Sequence, residues 1–321
     1  MFTPTAASIP PLGTSLRLKT PPNLPVNVHP LNPLDFLLRA AQIYPEKVAL
    51  VHSDVEYPVS YSFSVWAQRV QNLAYALIQA GIKPGDRVAV IAPNSPVIAD
   101  AHQGVIATRA ILTPINTRLK PSEVEYILQH SGARLIIVDH EYTHLIQGTR
   151  IPFVVSNDSG RDGDPYETFL NNGRQFSSER GWAGLEADAD ENTPCLLCYT
   201  SGTTGRTPQP KGVLTTLRGS YLAAIANAFE GKFDVPLVTI RTVNYNHIWN
   251  HLLHSGVTHY CGAPTVQIGI VNDPQAQKPP RPVTAIIAGA APTPHLIAGL
   301  ETIGITPVHV YGLTYVISYA T

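Results

Sequence analysis

The chain has 321 residues, 44% hydrophobic, with 22 basic against 23 acidic side chains and a formal net charge of −1. Such an apolar share supports a packed core and excludes a wholly disordered chain. The 14% charged residues carry no basic excess, which argues against a nucleic-acid partner, because phosphate neutralisation needs clustered Lys and Arg.

Residues 1–30 hold seven prolines and no acidic residue and read as a loose, extended lead-in; a transit peptide should be Arg-rich and helical instead. Two domains are expected after it, at residues 31–190 and 191–321, since about 150 residues is a usual domain size. Asn32-Pro33 is an N-cap with proline at the first helical position, and Leu34, Leu37, Leu38 and Ala41 then share a helix face. Lys47–Val51 reads as a strand, and a helix carrying Trp66, Val70, Leu73 and Leu77 on one side ends at Gly81. The apolar runs 87–91, 111–115 and 134–138 read as buried strands, and Ser122-x-x-Glu125 reads as a capping box opening the helix between the last two. Residues 139–193, rich in Gly, Asp and Asn, read as surface structure. Strands alternating with helices predict an α/β fold with mostly parallel sheets and flanking helices.

No run approaches the roughly 20 apolar residues of a membrane span. The three cysteines form no disulfide framework, which places the chain in a reducing compartment, the cytoplasm, with peroxisome and mitochondrion left open. Cys195 and Cys198 form a C-x-x-C on a strand, where a spacing of three sends the thiols to opposite faces and removes them from redox chemistry. His247, His251 and His254 share a helix face, but no carboxylate completes a metal-ligand set, so they read as a polar face and no metal site is assigned.

Chemistry concentrates at residues 199–213, Tyr-Thr-Ser-Gly-Thr-Thr-Gly-Arg-Thr-Pro-Gln-Pro-Lys-Gly-Val, between an apolar strand and a helix. Open α/β sheets bind ligands at such strand ends. Gly202 and Gly205 allow close backbone approach, Thr200, Ser201, Thr203 and Thr204 offer hydroxyls, and Lys211 offers a charge, a combination suited to a polyphosphate. No Gly-Lys-Ser/Thr stands at Walker A spacing, and an ordinary hydroxyl-rich hairpin is the alternative.

Ser201-Gly-Thr-Thr-Gly205 followed by Pro210-Lys-Gly212 resembles the phosphate loop of the adenylate-forming, AMP-binding synthetase/ligase family. Residues 85–96, Pro114-Ile-Asn-Thr-Arg118, Gly289-Ala-Ala-Pro292 and Tyr311-Gly-Leu-Thr314 resemble further landmarks in the family's order. Val257-Thr-His-Tyr-Cys-Gly-Ala-Pro-Thr265 is similar to the acyl-CoA ligase branch that takes short or medium carboxylic acids. The resemblance implies ATP, Mg2+ and coenzyme A as cosubstrates and a small carboxylic acid as partner. It also implies an adenine site at Gly289, Ala290 and Ala291 with Tyr311 stacked nearby and Gly312 beside it, and a phosphate contact at Thr314. Thr314 and Lys211 are then the catalytic candidates. Taken without the resemblance, Gly289-Ala290-Ala291 is a strand-to-helix turn.

Departures from the family pattern also stand in the sequence. Thr207, Pro208 and Gln209 intervene between Arg206 and Pro210, which predicts a stiffened excursion that draws Lys211 away from the phosphates. Tyr315 stands where the family has a Glu that holds Mg2+, and a phenol does not replace a hard oxygen anion. A strand and Pro-x-Phe-His-type segment expected after Phe229 has no counterpart before Arg241. The downstream Thr-Gly-Asp segment and lysine-bearing small domain are not found within residue 321. These departures predict an incomplete N-terminal domain, impaired in turnover. The alternative is a non-catalytic nucleotide-binding or interaction remnant.

Overall fold

The computed structural model describes residues 2–25, 27–200, 210–232, 236–313 and 316–319, with backbone alone at 230, 311–313 and 316–319. They fall into two compact units, Met1–Ala224 with Val235–Arg241, and Ile225–Asp234 with Thr242–Thr321.

The first unit begins with α1 (Leu34–Ile43), opened where Asn32 Oδ1 accepts the Leu34 N–H at 3.0 Å. A hairpin of β1 (Val48–His52) and β2 (Val59–Ser62) leads into α2 (Phe63–Gln79). The chain then alternates through β3 (Arg87–Ile91), α3 (Pro96–Ala107), β4 (Ile111–Pro114), α4 (Pro121–Ser131) and β5 (Ala133–Asp139). It continues through β6 (Phe153–Ser156), α5 (Pro165–Arg180), β7 (Pro194–Thr200), β8 (Lys211–Thr216), α6 (Leu217–Gly231) and β9 (Leu237–Val238). The main sheet runs β6-β5-β3-β4-β7-β8 and is parallel except for its last pair. The small strand β9 pairs parallel with β1. Both faces of the main sheet are covered: Val88 and Val90 pack with Leu73, Leu77 and Tyr166, while Ala89 and Ile91 pack with Ile127 and Leu128. This two-sided burial explains why its strands read as unbroken apolar runs.

The second unit holds α7 (Tyr245–His254), β10 (His259–Gly262), α8 (Pro264–Val271), β11 (Val283–Ile287), α9 (Pro294–Thr302), β12 (Ile305–Leu313) and β13 (Val316–Tyr319). Its sheet order is β10-β11-β12-β13, with the first three parallel and β13 antiparallel. The fold is α/β with mostly parallel sheets and flanking helices. No helix of the described residues is long and apolar enough to cross a membrane.

Four local expectations are corrected. The start of the lead-in is docked: Thr5 and Ser8 are buried, Phe2 packs edge-on against Tyr61, and Asn72 Nδ2 donates to the Ala7 carbonyl at 2.8 Å, while Ile9, Leu12 and Val28 are exposed. Residues 191–224 join the first unit, because β7 and β8 extend its sheet beyond β4. Glu123 Oε2, rather than Glu125, accepts the N–H that opens α4, from Lys120 at 2.8 Å; Pro121 at the first helical position sets that frame. Residues 139–193 include the sixteen-residue α5, whose Tyr166, Leu170 and Ser177 are buried.

Between α2, α3 and α5 lies a sealed charge cluster. Arg69 donates to both Glu167 oxygens at 2.8 Å and to Asp100 Oδ2 at 2.9 and 3.2 Å. All three residues are buried. Burial pushes the Asp100 carboxyl up to about 6, against the pull of the Arg69 guanidinium.

Candidate functional site

The hydroxyl- and glycine-rich segment closes the β7–β8 hairpin. The register pairs Leu197 with Leu214, Cys198 with Val213, Tyr199 with Gly212 and Thr200 with Lys211. Thr200 is half-buried and Lys211 exposed. Lys211 stands at the first position of β8, and Thr207, Pro208 and Gln209 lie outside the described residues. Ser201, Gly202, Thr203, Thr204 and Gly205 lie outside the described residues.

A second group forms at one sheet end of the other unit. β11 and β12 are parallel neighbours with Ile287 opposite His309. Gly289 thus follows the carboxyl end of β11, where open α/β sheets take ligands, while Tyr311 lies within β12. Gly289 has φ +91° and nothing within 4 Å of a hypothetical Cβ, a backbone state that favours glycine. Ala290 and Ala291 are exposed in the turn before α9, which Thr293 caps by accepting the Leu296 N–H at 3.2 Å. Tyr311 and Gly312 pair through their backbones with Ser318 and Ile317. Thr314 and Tyr315 lie outside the described residues.

Thr200 is thus paired with Lys211, and Gly289–Ala291 follow a strand, β11, that neighbours β12, which carries Tyr311 and Gly312. Cys195 is buried and Cys198 half-buried, both are free, and burial pushes both thiols up. They are neutral side chains on a strand, not nucleophiles. His247, His251 and His254 do lie on one helix, where His251 is buried with Nδ1 at 3.0 Å from Ser255 Oγ. Among the described residues no group of three or more His, Cys, Asp or Glu could hold a metal.

Two arrangements carried no local sequence signal. Arg241 bonds both Asp139 oxygens at 2.6 and 2.7 Å and Asp158 Oδ2 at 2.8 Å, fastening the segment after β9 to the ends of β5 and β6. Its partners are 83 and 102 residues away, beyond any motif spacing. Tyr199 also reaches His130 Nδ1 at 2.8 Å, a pairing visible only once α4 and β7 are packed.

Residues 37–252 match the family model described as AMP-binding enzyme. The chain is 30% identical to the peroxisomal acetate/butyrate–CoA ligase AAE7 of Arabidopsis thaliana, over 91% of this chain and 59% of that protein. It is likewise 30% identical to 4-hydroxybutyrate–CoA ligase 2 of Metallosphaera sedula, over 88% of this chain and 57% of that one. The chain therefore spans less than two thirds of the length of these curated relatives. The Arabidopsis alignment runs over 347 positions while taking in 91% of this chain, so several tens of positions in that relative have no counterpart here. Among solved structures, the long-chain-fatty-acid–CoA ligase FadD1 of Archaeoglobus fulgidus superposes with a TM-score of 0.77 at 18% identity, over 93% of this chain and 67% of that one. The N-terminal domain of FACL13 from Mycobacterium tuberculosis gives 0.69 at 22% identity, over 88% and 76%. With the family model covering well over half of its residues, the chain belongs to the AMP-binding enzyme family.

Proposed function

We propose that the chain binds ATP and activates a short or medium carboxylic acid, with turnover well below that of a complete ligase. In the reaction, a substrate carboxylate oxygen attacks the α-phosphorus of ATP. The bond to the bridging oxygen breaks, pyrophosphate leaves, and acyl-AMP remains; the thiol of coenzyme A then displaces AMP. The departing pyrophosphate gathers negative charge, which backbone amides, hydroxyls and a lysine stabilise where water is scarce. In this reading Thr200, Ser201, Gly202, Thr203, Thr204, Gly205 and Lys211 hold the phosphates. Gly289, Ala290, Ala291, Tyr311 and Gly312 hold the adenine, and Thr314 touches phosphate. Mg2+ travels with the nucleotide. The free cysteines support a reducing compartment, for which we take the cytoplasm.

The observation that carries this reading is the pairing of Lys211 with Thr200 at the mouth of the Ser-Gly-Thr-Thr-Gly segment. Low turnover follows from Tyr315 at the position of the family's Mg2+-holding Glu, because losing one charge stabiliser costs about 10²–10³ in rate. The same tyrosine favours a second reading, a nucleotide-binding protein without turnover. Acid-dependent exchange of labelled pyrophosphate into ATP separates the two. Exchange near background that rises with Tyr315→Glu and excision of residues 207–209 supports a weakened ligase. Binding of MgATP with no exchange in either form supports the second reading, and no MgATP binding at all overturns both.

A further inference from the structure

The hairpin mouth is braced from outside the hairpin, and the inference drawn from this rests on Lys211 serving the phosphates as proposed. Tyr199, the residue before Thr200, lies opposite Gly212, the residue after Lys211. A Cβ on Gly212 would stand 3.4 Å from Tyr199 Cζ, so the ring passes directly over that glycine. Beyond it, the Tyr199 hydroxyl meets His130 Nδ1 at 2.8 Å, with the rings edge to face at 5.7 Å. Tyr126, one turn earlier on α4, packs against the His130 ring at 5.4 Å.

His130 is itself held in place. It sits in the last turn of α4, whose end is capped by Arg87 at the start of β3. Arg87 Nε donates to the Ser131 carbonyl at 2.5 Å and Nη2 to the Gly132 carbonyl at 2.9 Å. Gly132 ends the helix with φ +63°, the usual left-handed cap. A continuous series of contacts thus runs from β3 through the α4 terminus and His130 to Tyr199, and stops one residue short of the Thr200–Lys211 pair. Strand ends without such a brace fray at little free-energy cost, and small misplacements of a catalytic group are expensive in rate.

We infer that Tyr199 and His130 are positioning residues, which hold the end of the β7–β8 pair so that Lys211 is presented to the nucleotide phosphates from a fixed place. Neither touches the reacting atoms. Their hydrogen bond is exposed, so its contribution to global stability is small. Its effect is local to the mouth.

The test uses the full chain with Tyr199→Phe, His130→Ala and His130→Asn, the last because Asn Oδ1 can occupy the place of Nδ1. Amide hydrogen exchange at residues 199–200 and 211–213 is measured without ligand, alongside the thermal midpoint and calorimetry with MgATP. Tyr199→Phe and His130→Ala should speed exchange at both strand ends and weaken MgATP about three- to tenfold, the range for one neutral hydrogen bond. The midpoint should hold, and His130→Asn should restore both local readouts. Unchanged exchange overturns the brace. Faster exchange with unchanged MgATP affinity overturns its service to Lys211. Faster exchange throughout the unit, not rescued by Asn, reduces the pair to an ordinary structural contact and overturns the proposal. If the unaltered chain takes no MgATP, the proposed function fails and the service to Lys211 falls with it, while the exchange data still decide whether the brace exists.

Discussion

Two charged places in the first unit are built in opposite ways. Around Arg69 the guanidinium is enclosed, and both its carboxylate partners come from other helices. At the hairpin mouth Lys211 stands exposed on an edge strand. An enclosed charge needs its partners built into the fold, because leaving one unpaired costs several kcal/mol. An exposed charge costs little to carry, so it is the one available to an incoming anion. The first arrangement bears on stability and the second on binding, and substitutions should separate them.

The largest effects belong to the enclosed cluster. Arg69→Ala should cost about 3–5 kcal/mol of unfolding free energy, since it strands two buried carboxylates; denaturant titration at neutral pH measures this. Gly173→Ala should match it in severity, because the added methyl would land on the Asn72 carbonyl and the Ala76 amide, where α5 crosses α2 backbone to backbone. Loss of less than about 1 kcal/mol in both would mean that the helices relax apart easily and that the cluster is not sealed.

Next in size is a pH effect. Asp100 has its carboxyl pushed up from 3.8 to about 6 in the folded chain. Between these values the folded chain holds a proton that the unfolded chain has lost. The stabilisation linked to that proton is fully present below about 4 and lost as pH rises through about 6, an amount of about 3 kcal/mol. Asp100→Asn should remove this part of the pH dependence, seen as a flatter unfolding free energy between pH 4.5 and 7. An identical slope in both proteins would assign the titration elsewhere.

The two places also differed in how far the amino-acid sequence revealed them. β3 was legible to the residue, since burial on both faces leaves an unbroken apolar run. The hairpin mouth was legible as a motif, because glycines, hydroxyls and a lysine lie within one stretch. Its register was not, since a ten-residue closure does not dictate which residues pair across it. The enclosed cluster was invisible. Asp100 and Glu167 are 31 and 98 residues from Arg69 in turn, and each of the three taken alone looks like a solvated helix charge. α5 was hidden for a related reason: its polar composition masks a short buried face at Tyr166, Leu170 and Ser177.

Smaller still in its effect on stability is the substitution that matters most for binding. Lys211→Ala should leave the unfolding free energy within about 0.5 kcal/mol, as for other exposed side chains. It should weaken MgATP about ten- to a hundredfold, the range of a hydrogen bond to a charged group. Calorimetry on both proteins checks this. Undiminished MgATP binding would move the phosphate contact away from the mouth of the hairpin.

Gly212→Ala gives the smallest expected change, and it puts the contrast between the two places to a direct test against Gly173→Ala. A methyl at 212 would meet Leu197 Cδ1 at 3.0 Å and Tyr199 Cζ at 3.4 Å. The first is the end of a flexible side chain that can yield by a few tenths of an ångström, and the second is ordinary contact. Replacing a strand glycine also recovers roughly 0.5–1 kcal/mol of backbone entropy. The two terms oppose each other, so the net change should stay within about 1 kcal/mol, or roughly 4 °C in a unit of this size. At 173 no such relief exists, because the obstructing atoms are backbone. Equal destabilisation by the two alanines would mean that the hairpin mouth is as tightly packed as the helix crossing, and the division between a sealed charge and a presented one would then have to be abandoned.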